Sequence, residues 1–158
     1  MSRQMRVLPQ SQQGNVGCGS MLPNGQTVGQ AVNQVTQSID AAESNAAQAG
    51  EDPLGPGLAE YYVDVNTNGP IDFKNNFRGQ ANPGFLGQAG NFAYGAVSGY
   101  MFGSGSFGQY MAASGSGVYA LRAGKLGRGF PFLRAPYGGD PSALQNVPAG
   151  VSAGCVKP

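Results

Sequence analysis

The 158-residue chain carries nine Lys and Arg against eight Asp and Glu, a net charge of +1, and it has no histidine. That balance argues against a protein held to nucleic acid by phosphate neutralisation alone, and the missing imidazole removes the most frequent general base and the commonest metal ligand. With 27 Gly, 11 Pro and only 11% charged residues, the surface must be covered by Gln, Asn, Ser and backbone around one core.

Residues 1–26 are polar and aperiodic and read as an arm ending in the turn signal Pro23-Asn24-Gly25. No apolar run follows the first basic residues, so no signal peptide is expected. Thr27 and Gln30 then make a capping-box pattern, and Val28, Val32, Val35 and Ile39 form one narrow stripe flanked by Ala31, Ala42 and Ala46. This spacing predicts an amphipathic helix lying on the domain or on a partner and fading near Gly50. Glu51 to Gly57 reads as a linker stiffened by Pro53 and Pro56. It divides the chain into an arm with its helix, residues 1–52, and a compact body, residues 53–158.

Leu58 to Asp64 is a short helix or an extended segment, and either places Glu60 and Asp64 on one side. A turn at Asn66–Pro70 leads into Ile71 to Arg78, the densest mixture of charge, amide and aromatic groups in the chain. Seven acids from Asp40 to Asp72 run without an intervening base, after which the sign reverses.

Gly79 to Leu121 has no charged side chain and is the predicted core. Phe85, Phe92, Ala96 and Tyr100 share one helical face; Phe107, Met111, Ser114, Val118 and Leu121 share another. Asn82-Pro83 is a good helix start, and Gly103-Ser104-Gly105-Ser106 is the predicted break, with a hydroxyl to cap the second helix. Gly95, Gly99 and Gly103 have the spacing that brings helix backbones together in bilayers, but Gln88, Asn91 and Ser98 make the segment too polar to insert, so close packing of two soluble helices is the expected use.

Beyond Leu121, Arg122, Lys125, Arg128 and Arg134 interleave with glycines and with Phe130, Phe132 and Tyr137, a pattern suited to tracking a polyanion or stacking on sugars or bases. Asp140-Pro141 is a second cap-plus-proline helix start, with Pro148 and Gly150 expected to keep that helix short. Cys18 and Cys155 are too few for a zinc site and are placed to tie the two ends together. A disulfide there implies an oxidising place of action such as a periplasm. No metal site and no cofactor is read from the sequence.

The segments Asp72-Phe73-Lys74, Asn91-Phe92-Ala93-Tyr94-Gly95 and Pro136-Tyr137-Gly138-Gly139-Asp140-Pro141 resemble the polymorphic toxin type 44 family, over about Gly69 to Gly150. The resemblance implies an all-α toxin domain carried by interbacterial effectors, with a delivery machine or larger carrier protein and a cognate immunity protein as partners. Ribonuclease activity is the proposal for that family. Its Asp and Lys correspond to Asp72 and Lys74 and its Gly-Asp-Pro element to Gly139, Asp140 and Pro141. The family pattern has His where this chain has Ala93.

The fold expected is therefore all-α, a small-residue-rich helical domain with long Gly/Pro-rich loops and a helical arm. The function expected is an antibacterial hydrolase, of peptidoglycan ahead of RNA, with a non-enzymatic pore-forming or structural module as the alternative outside enzymology. Glycan cleavage needs one protonated and one ionised carboxyl. Glu60, beside the tyrosine pair Tyr61-Tyr62, is the expected acid and Asp72 beside Lys74 the ionised partner, with Asp64 a further catalytic candidate. For RNA, proton transfer falls to Asp72, Lys74 or Tyr94. Arg78, Asn91, Tyr94, Tyr137 and Asp140 are the expected substrate contacts.

Overall fold

The first helix shows how the chain builds its centre. Thr27 Oγ1 accepts from the Gln30 N–H at 3.1 Å while Gln30 Oε1 accepts from the Thr27 N–H at 2.8 Å, so the expected capping box is closed in both directions. Helix α1, Val28–Gln48, then buries Val28, Val32, Val35 and Ile39 almost completely. It ends where Gly50, at φ 76°, lets Gly50 and Glu51 donate back to the carbonyls of Ala47 and Ala46.

These features come from a computed structural model that describes residues 15–141 and 143–156. The opening residues, including the stretch read for a signal peptide, lie outside the described part. The described residues form six helices and no strand, and the fold is all-α. After α1 come α2, Leu54–Val65; α3, Phe73–Asn76; α4, Pro83–Phe102; α5, Ser106–Arg122; and α6, Ala143–Ala153. Among the described residues no helix is long and apolar enough to cross a membrane.

The segment expected to be a linker is instead the start of α2. Asp52 Oδ1 accepts from the Leu54 N–H at 2.9 Å, and Pro56 falls in the first turn, where its missing N–H has no intrahelical partner to lose. The stiff composition is thus absorbed into a helix start. Residues on both sides of that division share one apolar cluster: Val32, Val35 and Ile39 of α1 pack with Ile71, Phe73, Leu86, Phe92 and Val97.

Helix α4 begins as its sequence indicates, with Asn82 Oδ1 accepting from Gly84 N–H at 2.7 Å and Phe85 N–H at 3.4 Å ahead of Pro83. Its glycines do bring two backbones together, but the partner is α6, against which α4 packs most extensively. A Cβ on Gly95 would run into the Val147 carbonyl, one on Gly150 into the Phe92 carbonyl, and one on Gly99 would lie 2.6 Å from the Val151 oxygen. That contact also explains α6 itself. The helix starts at Ala143 and continues through Pro148 to Ala153 instead of stopping short. Its glycine faces α4, and the Pro148 carbonyl accepts from Gln109 at 3.1 Å.

Helix α5 departs from expectation in two ways. Its N-cap is Gly105, with no side-chain cap, because Ser106 is already helical. Its buried face is Gly108, Ala112, Ser114, Gly117 and Ala120, whereas Phe107 and Leu121 are exposed. Small side chains are chosen inside because the neighbouring backbone is close: a Cβ on Gly117 would strike the Tyr137 carbonyl. The two ends of the chain are joined by a disulfide between Cys18 and Cys155, whose Cα atoms are 5.5 Å apart.

Candidate functional site

Glu60 and Asp64 sit one turn apart on α2, as the sequence indicated, and they are unequally buried. Asp64 is 7% exposed and its Oδ2 is buried with no hydrogen-bond partner. Burial, reinforced by the Glu60 charge, raises its carboxyl from 3.8 to about 6. Asp64 is thus the more deeply buried of the two, where the sequence reading looked to Glu60 for the shielded carboxyl. Glu60 is half-buried one turn away, and Cβ atoms at that helical spacing lie about 5–6 Å apart.

No cation neutralises the pair from α5. Arg122 donates to the Tyr62 hydroxyl and lies 5.9 Å from the centre of the Tyr62 ring, but Tyr62 is two residues from each acid and so on the opposite side of a 3.6-residue helix. Tyr119 accepts from Thr67 Oγ1 at 3.3 Å on the same approach of α5 to the end of α2.

Tyr61, on the next position to Glu60, runs inward. Its hydroxyl lies 2.8 Å from Ser98 Oγ, and Ser98 donates to the Tyr94 carbonyl at 2.8 Å. Because Ser98 spends its one proton on that carbonyl, Tyr61 is the donor to Ser98. Tyr94 in turn donates to the carbonyl of fully buried Ala112 at 2.9 Å. Burial raises the Tyr61 hydroxyl, and raises that of Tyr94 well above its ordinary value. Both are neutral donors at physiological pH, so Tyr94 ties α4 to α5 and is not placed to take a proton from substrate. Ala93 is fully buried; the position at which the resemblance would place an imidazole belongs to the core.

Asp72, half-buried, accepts from the Asn68 N–H at 2.8 Å and from Asn75 Nδ2 at 2.6 Å. Arg78 donates to Asn75 Oδ1 at 2.9 Å, and Asn76 to the Gly69 carbonyl at 2.9 Å. These bonds hold a turn in which Asn68 adopts φ 64°. Lys74 is exposed, and among the described residues no hydrogen bond joins Asp72 to Lys74, Glu60 or Asp64. Asn91 is half-buried on α4, and the Asp140 carbonyl accepts from the Ala143 N–H at 2.8 Å.

Two hollows accompany these groups. A cleft of about 550 Å³ lies among α5, α6 and the preceding loop, lined by Gln109, Tyr110, Ser116, Tyr137, Leu144 and Pro148. Tyr137, at φ 71° and edge-on to Tyr110 with ring centres 5.2 Å apart, is the one expected site residue in it. A shallower hollow of about 790 Å³ follows the amide-rich face of α1 beside the disulfide. Neither is lined by Glu60, Asp64, Asp72, Lys74 or Arg78. Among the described residues no three Cys, Asp or Glu come together in a way that could hold a metal ion.

No family model, curated protein or solved structure matches the chain. The sequence placed Glu60 and Asp64 one turn apart, as α2 does, and did not mark Asp64 as the more deeply buried of the two. Nothing in the local sequence marked Asp64, since the tyrosines that suggested shielding flank Glu60.

Proposed function

We propose that the chain is an exported hydrolase of a bacterial polymer, with cell-wall glycan ahead of RNA, acting as a toxin that its producer neutralises with an immunity protein. The observation that carries the reading is the unequal carboxyl pair: Asp64, with an unpartnered buried oxygen and a carboxyl raised to about 6, one helical turn from Glu60. An acid near neutral pH with a second carboxyl beside it is the minimum equipment for glycoside cleavage. In retaining enzymes those groups are about 5 Å apart, within the range that residues four apart on a helix can span. Asp64 protonates the leaving oxygen and Glu60 acts as nucleophile or base.

The disulfide supports action in an oxidising compartment, and the three family-like segments support the toxin assignment. Glycan stands ahead of RNA because the chain has no histidine for the proton transfers of RNA cleavage and because Tyr94, a candidate for them, is committed within the fold. The test is to incubate the oxidised protein with purified peptidoglycan and, separately, with RNA. Release of soluble muropeptides, lost in both Asp64→Asn and Glu60→Gln, is expected, together with growth arrest when the protein is directed to the periplasm. RNA degradation with intact peptidoglycan, or full activity in both variants, overturns the reading.

A further inference from the structure

The loop between α5 and α6 contains a short hairpin whose backbone is fixed while several of its apolar side chains stay partly in water. Phe130 and Arg134 exchange both backbone hydrogen bonds, at 2.8 and 3.0 Å, and Gly127 N–H donates to the Gly138 carbonyl at 2.9 Å. The tip is pinned to α5 from two sides: Phe132 N–H donates to Ser114 Oγ at 3.2 Å and Tyr110 Oη donates to the Phe132 carbonyl at 2.8 Å. Yet Leu133 is 81% exposed, and Leu126, Phe130 and Phe132 are 39%, 44% and 46% exposed. An ordered backbone that presents several exposed aliphatic and aromatic groups on one short hairpin marks a contact surface.

Charge identifies the partner. Lys125, Arg128 and Arg134 are all exposed, Arg122 being engaged by Tyr62, and no Asp or Glu occurs between residues 122 and 139. We propose that this hairpin docks the protein on an anionic lipid surface, with Leu133 and Phe130 entering the boundary between headgroups and acyl chains and the cations lying against lipid phosphates. Basic residues around an apolar tip are the combination that binds membrane interfaces without spanning them. The aliphatic members decide against a single-stranded nucleic acid, which rewards rings that stack on bases. Leu126 and Leu133 offer no such face, and the Phe132 ring already meets Tyr110 edge-on at 6.0 Å. This docking is independent of the Glu60/Asp64 chemistry.

The experiment is co-sedimentation of the oxidised protein with vesicles of phosphatidylethanolamine and phosphatidylglycerol, and with pure phosphatidylcholine, at low and high salt. Binding to the anionic vesicles alone, weakened by salt, is expected. Leu133→Ser with Phe130→Ser should weaken it about a hundredfold, a factor of about ten for each buried side chain. Arg128→Glu with Arg134→Glu should remove the preference for anionic lipid. All four positions are exposed, and an unchanged circular dichroism spectrum confirms that the variants fold. Failure to sediment with anionic vesicles, equal binding to phosphatidylcholine, undiminished binding of the serine variant, or capture of single-stranded RNA without vesicle binding would each overturn the proposal.

Discussion

Replacing Asp64 by Asn should make the protein more stable, and only above a definite pH. A carboxyl whose folded value is about 6 and whose ordinary value is 3.8 binds its proton more tightly in the folded chain. The native state accordingly loses stability as pH climbs from about 4 to about 6 and stays at the lower level beyond. At 1.36 kcal/mol per pH unit the full displacement corresponds to roughly 3 kcal/mol. Asp64 retains a 7% exposed edge near the surface, where solvent screens part of the penalty, so about 1–2 kcal/mol is expected. In a chain of this length that is a rise in melting temperature of roughly 3–6 °C. Thermal melts of wild type and Asp64→Asn at pH 4 and pH 8 make the comparison. The variant should gain at pH 8 and match the wild type at pH 4. An equal gain at both values, or a loss at pH 8, would show that Asp64 is not held protonated by its surroundings, and the catalytic assignment would go with it.

Gly95→Ala sets two effects against each other. Helix propensity favours alanine by about 1 kcal/mol, but the added methyl meets the Val147 carbonyl, and forcing backbones apart should cost about 3 kcal/mol or more; a lower melting temperature is expected and a higher one refutes the α4–α6 packing. Cys18→Ser with Cys155→Ser opens a cross-link of sequence separation 137, for which chain entropy gives about 5 kcal/mol; urea unfolding that moves by less than about 1 kcal/mol contradicts it. Thr27→Ala removes one half of the α1 capping box and should cost about 1 kcal/mol, measured as a shift in urea midpoint with unchanged slope.

Local signals were legible and distant ones were not. The α1 and α4 starts are written in Thr27/Gln30 and Asn82-Pro83, because a cap satisfies donors within three residues of itself. The inner face of α5 could not be read the same way. Periodicity weighs side-chain size, whereas Gly108, Ala112, Ser114, Gly117 and Ala120 are inside because they are small, leaving Phe107 in water. The extent of α6 through Pro148 depended on α4, far away in sequence. At the site, the one-turn spacing of Glu60 and Asp64 was visible, but the inequality between them depends on how α2 packs. Asp72 did carry an overlooked local sign: an Asp with Asn three residues on can close a turn on itself, and Asn75 does so here.

The bond between Cys18 and Cys155 has a topological consequence. Everything from residue 18 to residue 155 is one covalent macrocycle, so polypeptide arriving before it and polypeptide leaving after it pass through a single doorway. A host protein could accept such a unit in a surface loop as a bead on a stitch, without being pried open to make room.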